Sequence, residues 1–505
     1  MKIHFCLVIF LCLLMNCSKD DSVNIIDKVE EEINLPPSKF SISVLEISDN
    51  KVKISWDKSI DPESEIVTYS VILNNEIKIE NTVENEYTLT NLSELSEYTC
   101  KVIAKDNKGN MTIEEVSFTT KKYYLKFLKE FYTGDSEANS TIGPTNMIRT
   151  KNGDYVITGS SSKPDGSGSQ SYILRIDKEG NKIWKYFYGN EVNPGATFKI
   201  TELKDGGFVL ATFHLIMKFD EFGNRIWSVE NEGYINRSHT TSMLTYGEMY
   251  SAKEDSQGNI FVVGWRGPTF FSNEILHYGV LTKVSSDGQI IWDKEFIYSY
   301  LSTFNDLIIE SNDDVVILGT IETAGATKEK VIEQGSSILV VDTWILKTNN
   351  DGNIIWQKII DGYGYGFATE IIKTRDNNYA TVGFSLGGYD IGSGLISKIS
   401  SNGEEMWSAG IPLWSVLSLA ETSDGGFITT GHIAGGGYDV LGITKLTSTG
   451  VVDWSKTYQQ SFTHLRGKSI FETQDNGFMF CASSAQNYGG AKILVYKTDP
   501  EGNFE

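Results

Sequence analysis

Asp351-Gly352-Asn353-Ile354-Ile355-Trp356 is the stretch on which the reading of the fold turns. Variants recur down the chain. Gly180, Gly223, Gly288, Gly352, Gly403 and Gly450 are each followed four residues later by a tryptophan, at Trp184, Trp227, Trp292, Trp356, Trp407 and Trp454. Five residues before each glycine stands a base: Arg175, Lys218, Lys283, Lys347, Lys398 or Lys445. A seventh copy has Lys497 and Gly502, then ends at Glu505, one residue short of the expected tryptophan. A fixed period of this kind marks a repeat architecture.

Upstream of each base lies a polar turn that opens an apolar strand, as in Asp205-Gly206-Gly207-Phe208-Val209-Leu210, Asp424-Gly425-Gly426-Phe427 and Asp475-Asn476-Gly477-Phe478. Four short strands per unit at this period predict β-propeller blades, seven of them, over residues 122–505. Phe127-Leu128-Lys129-Glu130-Phe131 matches Trp292-Asp293-Lys294-Glu295-Phe296, with Phe127 at the tryptophan position. This N-terminal strand is therefore expected to complete the last blade and close the ring, leaving no exposed sheet edge. The six tryptophans read as structural wedges between blades, each contributing on the order of 2–3 kcal/mol if buried. The bases are expected to pair with acids at the ends of first strands, such as Glu202, Glu421 and Glu472, although Arg149 and Lys373 interrupt that series. Gly436-Gly437-Tyr438-Asp439, Asp342-Thr343-Trp344-Ile345-Leu346-Lys347 and Asp424-Gly425-Gly426-Phe427 resemble the SBBP-type propeller repeats of bacterial secreted and surface proteins. That resemblance implies the fold and no single activity.

From residue 35 to 121 the pattern changes to alternating strands. Val52, Ile54 and Trp56 share one face, Tyr69-Ser70-Val71-Ile72-Leu73 follows, and Leu92 with Tyr98 precedes Cys100-Lys101-Val102. Trp56, Tyr69 and a tyrosine corner at Leu92 and Tyr98 resemble a fibronectin type III domain, which implies a sandwich acting as a spacer. Cys100 shares the parity of Val102 and is expected to be buried.

The start of the chain reads as a signal peptide over residues 1–16, with Lys2 before the apolar run Phe5 to Met15. Leu13-Leu14-Met15-Asn16-Cys17 resembles a lipobox, so Cys17 is the expected lipidation site. Acylation there implies a lipoprotein anchored in the outer membrane. Ser18-Lys19-Asp20-Asp21 resembles a surface-export tether, which points to the cell surface. Residues 17–34 are polar and acidic and read as a flexible linker.

A formal charge of −22 excludes nucleic acid as an expected partner, because phosphate binding needs a basic surface. The cysteines show neither a disulfide framework nor metal spacing, and no metal or cofactor is expected. No nucleophile elbow, paired acids or Ser/His/Asp order marks a catalytic site.

Loop length points to a binding face. The glycine turns are short throughout, whereas the other loops vary widely, the longest running over 229–246, 266–278 and 321–341. In a propeller these variable loops share one face, and binding residues favour such loops over a rigid frame. The candidate ligand-binding residues there are Trp265, His277, Tyr278, Tyr363, Tyr365, Tyr389, Asp390, Trp414, His432, Tyr438, Asp439 and His464. His214 and His239 map to the same face. For each aromatic the competing reading is a strand-end residue covering the core.

These signals lead to a non-catalytic surface lipoprotein, a monomer or a component of an envelope complex, whose propeller face binds a glycan or an envelope protein. Two other classes stay open: an extracellular carbohydrate-active enzyme, lyase or glycosidase, and an outer-membrane assembly scaffold. Clustered acids, histidines and tyrosines at catalytic distances would favour the enzyme. An open aromatic platform would favour binding, and a large apolar patch the scaffold.

Overall fold

The computed structural model describes residues 34–63, 66–133, 143–163, 169–188, 197–213, 215–230, 245–268, 277–299, 301–322, 341–360, 366–385, 394–435, 437–459, 463–486 and 491–504. The leader with Cys17, the linker as far as residue 33, Tyr363, Tyr365, Tyr389, Asp390, His214 and His239 lie outside them. The described residues are all-β and contain no helix. They form two compact units that part between Tyr123 and Tyr124.

The first unit has a three-stranded sheet, Ile42–Ile47, Val52–Trp56 and Glu86–Leu89. Its second sheet runs in the order Glu76–Thr82, Thr68–Leu73, Glu97–Lys105 and Met111–Thr119. Alternation buries Val52, Ile54 and Trp56 in one sheet and Tyr69, Val71, Cys100 and Val102 in the other, in one shared core. Trp56 packs on Tyr69 at a centroid distance of 5.5 Å. The Tyr98 hydroxyl accepts a hydrogen bond from the Ser93 amide at 2.8 Å, the corner expected at that position. Burial pushes the Cys100 thiol up to about 11, so it is a packing residue. Asn34, read as the last residue of the linker, donates to Asp106 at 2.6 Å and so is tied to the sandwich.

The second unit comprises seven four-stranded antiparallel sheets. Their first strands are Pro144–Arg149, Thr197–Glu202, Thr245–Glu254, Ser302–Ile309, Gly366–Lys373, Ser415–Glu421 and Thr463–Glu472, which begin sheets one to seven. Within each sheet the strands follow chain order. The exception is sheet seven, whose outer strand is Phe127–Tyr132, with Phe127 paired to Lys497 as the repeat alignment requires. Consecutive first strands pack on one another, and Thr463–Glu472 packs on Pro144–Arg149.

The repeated tryptophan and glycine act between neighbours. A Cβ added to Gly403 would meet Trp356 of the preceding sheet at 2.8 Å, and one on Gly450 would meet Trp407 at 2.5 Å. The same relation joins Trp184 to Gly223, Trp227 to Gly288, Trp292 to Gly352 and Trp454 to Gly502. Phe127 takes the corresponding place over Gly180, at 2.7 Å from such a Cβ. The glycine answers two demands, a left-handed φ of +81° at Gly450, for example, and room for an indole.

The bases do not pair with the first-strand acids expected from the sequence. Arg175, Lys218, Lys283, Lys347, Lys398, Lys445 and Lys497 pair within their own sheets with Asp154, Asp205, Asp255, Asp314, Asp376, Asp424 and Asp475. Each aspartate sits in the turn between the first two strands, two strands being the reach of a base on the third. The first-strand glutamates serve the preceding sheet instead. Glu202 accepts the Lys151 amide at 2.8 Å, Glu254 that of Lys204 at 2.6 Å, Glu421 that of Arg375 at 2.8 Å and Glu472 that of Ser423 at 2.7 Å. Asp313 accepts the Ser256 amide at 2.7 Å in the same manner.

A second set of bonds joins the first strands midway along their length. Asn146 accepts the Ile200 amide at 3.2 Å, Asp306 that of Ile371 at 3.1 Å and Glu370 that of Leu419 at 2.8 Å. Ser418 accepts the Ile470 amide at 3.4 Å, and Ser469 that of Met147 at 2.8 Å. Lys199, at the equivalent position in sheet two, cannot accept and instead pairs with Asp306 at 2.8 Å.

Candidate functional site

The edge shared by sheets six and seven brings together four residues that the sequence singles out, His432, Tyr438, Asp439 and His464. Strands Phe427–Gly435 and Tyr438–Leu446 form a hairpin whose turn uses Gly437 at φ +94°. Pairing of Ala434 with Asp439 sets that carboxylate at the hairpin end, against the start of Thr463–Glu472.

Asp439 is the centre of the group. Its Oδ2 accepts from Arg466 Nε at 2.6 Å and lies 3.1 Å from His464 Nδ1, and its Oδ1 is 3.9 Å from His432 Nε2. The Asp439 amide is also 3.2 Å from His464 Nδ1. That nitrogen therefore accepts from the amide in one tautomer and donates to the carboxylate in the other. The rings of Tyr438 and His464 meet at 5.4 Å. The Trp414 amide donates to the His432 carbonyl at 2.8 Å, and the Trp414 residue is 49% exposed.

Charge is uneven here. Burial alone would push the Asp439 carboxyl up, but the Arg466 hydrogen bond and charge, with the two histidines, hold it below the usual range. Burial brings His432 down to about 4 against the pull of Asp439, with Arg466 and Lys468 acting in the same downward sense. His432 is therefore neutral at pH 7. Burial and the neighbouring Arg466 also lower Lys468. Arg466 thus faces the Asp439 carboxylate, and Lys468 acts on His432 nearby, on a chain of net charge −22. The Arg466 side chain is 51% exposed, and beyond Nε it has no partner among the described residues. An exposed tryptophan just before the strand paired with His432, together with a guanidinium and imidazole held by one carboxylate, suits a ligand with both a hydrophobic face and hydroxyl or acidic groups.

Sheet three assembles a different group. Trp265 is only 8% exposed and stacks on His277 at 4.2 Å and 27°. Its indole donates to the Tyr250 hydroxyl at 3.0 Å, which donates in turn to Glu248 at 2.5 Å. Burial raises the Glu248 carboxyl and the Tyr250 phenol and lowers His277. Arg266 pairs with Asp293 and Glu295, and Tyr278 lies half-buried beside them. Trp265 and His277 thus lie within the wall of sheet three, the covering reading of a strand-end aromatic.

Arg466 and Lys468 carry no motif, and the sequence reading passed over them. Aligning the repeats column by column holds the signal. Three residues before each first-strand end the column runs Asn146, Lys199, Ser251, Asp306, Glu370, Ser418 and Ser469; three further back, only Glu248 and Arg466 are charged. Among the described residues no group of three or more His, Cys, Asp or Glu is placed to hold a metal ion.

Residues 35–120 match the fibronectin type III domain family. No curated protein matches the chain. Solved structures similar to it include a protein of unknown function from Bacteroides caccae, at 11% identity and TM-score 0.36, covering 57% of this chain and 90% of that one. An exotype rhamnogalacturonan lyase aligns at 13% identity and TM-score 0.39, covering 90% and 89%. The extracellular domain of BT4673 from B. thetaiotaomicron aligns at 13% identity and TM-score 0.41, covering 92% and 52%. At such scores these likenesses decide neither the fold nor the chemistry.

Proposed function

We propose that the chain is a lipid-anchored surface protein whose seven sheets are the blades of a β-propeller, and that the edge of blades six and seven binds a glycan. The observation that carries the binding reading is the Asp439–Arg466–His464 group at this edge, with exposed Trp414 bonded through its amide to His432. An indole stacks on the apolar face of a sugar ring, and fixed donors and acceptors read its hydroxyls. Closure of the ring is supported by the Ser469 bond to Met147 and by Phe127 over Gly180, both joining sheet seven to sheet one. The lipobox-like stretch ending at Cys17 supports the anchor and the outer-membrane surface location.

A glycan array probed with the full chain tests the binding. Trp414→Ala and Arg466→Ala are each expected to weaken the best ligand about tenfold or more, one hydrogen bond to a charged group being worth about 1.5–3 kcal/mol. Unchanged binding in both variants, or capture of an envelope protein with no glycan signal, refutes it. The Asp439–His464 approach favours a second reading, a carbohydrate-active enzyme with His464 as general base. Turnover of a polysaccharide panel that is lost in His464→Ala would decide for it.

A further inference from the structure

The ladder of carboxylates that accept turn amides breaks where sheet seven meets sheet one. At this position sheets two, three, six and seven carry Glu202, Glu254, Glu421 and Glu472, whereas sheet one carries Arg149. The amide that would be latched there is that of Gln474. It follows Thr473, just as the latched amides of Lys151 and Ser423 follow Thr150 and Thr422. Gln474 N–H has no acceptor among the described residues, and the Arg149 guanidinium has no hydrogen-bond or ion-pair partner there. A donor stands where sheets two, three, six and seven supply an acceptor.

The junction of sheets four and five also carries a base, Lys373, and shows how such a break is mended. Glu310 of sheet four pairs with Lys373 and accepts from the Tyr379 hydroxyl at 2.6 Å. Sheet seven has Thr473 in the place of Glu310, so nothing equivalent reaches Arg149. The nearby carboxylates are engaged. Glu472 takes the amide and hydroxyl of Ser423 on its two oxygens, Glu421 takes the Arg375 amide, and Asp475 pairs with Lys497. Arg149, Gln474, Glu421 and Glu472 line one open cleft of about 440 Å³.

We infer that this cleft is a carboxylate-binding site, in which a ligand carboxylate takes the place of the missing glutamate. One oxygen accepts from the Arg149 guanidinium and the other from the Gln474 amide, the pairing that guanidinium geometry favours. The cleft is on the face of the short turns, away from the Trp414 edge, and the inference stands independently of the glycan proposal. A free organic acid and the carboxylate of an acidic sugar share this chemistry.

Calorimetric titration of the full chain at low salt with malonate, galacturonate and galactose tests it. Both acids are expected to bind and galactose to be silent at this site. Binding of malonate alone assigns the site to free acids; stronger binding of galacturonate assigns it to acidic sugars. Arg149→Met should weaken the acids at least about tenfold. Gln474→Pro removes only the amide donor, at a turn position that proline favours, and should weaken them several-fold even if Arg149→Met fails to fold. The inference is overturned if neither acid binds, if both variants bind like the parent, or if galacturonate binding survives Arg149→Met and is lost in Trp414→Ala.

Discussion

Gly425 and Gly450 offer a matched test of what the repeat glycine does. Both have φ of +81°. A Cβ on Gly425 meets nothing within 4 Å, whereas one on Gly450 falls 2.5 Å from Trp407 Cζ3 and 2.7 Å from Cε3. Gly425→Ala should therefore cost only the left-handed backbone term, about 1–2 kcal/mol. Gly450→Ala adds an overpacking term of about 1–3 kcal/mol, because the indole is held against Phe427 at 5.9 Å and cannot retreat without opening the next sheet. The pair should differ by that amount in equilibrium urea unfolding followed by far-UV circular dichroism. In a Trp407→Ala background the Gly450→Ala cost should fall to that of Gly425→Ala, giving a coupling energy of about 1–3 kcal/mol. Equal costs for the two glycine variants, or an additive cycle, would refute the claim that the Gly-to-Trp spacing records contact between neighbouring sheets.

The His432 imidazole takes its proton near 6.5 when unfolded and near about 4 when folded, facing Asp439, Arg466 and Lys468. The unfolded state then binds more protons between those values, so stability should fall by up to about 3 kcal/mol as pH drops from 6.5 to 4. His432→Gln should flatten that slope in pH-dependent melting, and an unchanged slope would contradict it. Lys497→Met leaves half-buried Asp475 without its cation, though still accepting from the Thr473 hydroxyl and the Gly477 amide, and should cost about 1.5–3 kcal/mol in urea unfolding; a loss under about 1 kcal/mol would show that the seven base–aspartate pairs are ornamental. Cys17→Ser should release the protein from membranes into the soluble fraction, and continued membrane retention would rule out the lipid anchor. Hydrogen exchange should be faster in Phe127–Tyr132 than in the outer strands of the other sheets, and uniform protection would deny that this junction is the weakest.

Period was legible in the sequence because it is a property of local spacing. Glycine, tryptophan and base recur at fixed intervals, and even the displaced outer strand is visible, since Phe127 to Phe131 copies Trp292 to Phe296. Partners were harder to read. Complementary charge alone points the base to Glu202, Glu421 and Glu472. Strand pairing decides otherwise, because the third strand lies beside the second and its base reaches the turn aspartate of its own sheet. The candidate site divides in the same way. Asp439 and His464 were visible as polar residues at strand ends. Arg466, which holds the carboxylate, is one charged residue in an ordinary strand, significant only once two sheets are laid side by side. Trp265 illustrates the opposite error, since an aromatic at a strand end looks the same in sequence whether it faces solvent or stacks on a buried histidine.

Two departures from the repeat coincide at one junction. Sheet one meets sheet seven with phenylalanine where the other junctions have tryptophan, and with arginine where most have a carboxylate. The junction is held by Ser469, bonded to the Met147 amide and to Asn146, by Lys185 donating to the Tyr132 and Thr133 carbonyls, and by the apolar packing of Met147 and Ile157 with Met479 and Cys481. In the proposed ring this contact also joins residues far apart in the chain, so its loop-closure entropy is large. A smaller ring and a missing latch leave this junction with less to hold it than those that keep both. A carboxylate bound between Arg149 of sheet one and Gln474 of sheet seven would add a bridge across that same junction. Ligand binding and closure would then be linked, each favouring the other by the same free energy. The break in the ladder is thus placed where an exchangeable acceptor has the most effect on the frame, which a glutamate fixed in the chain would remove.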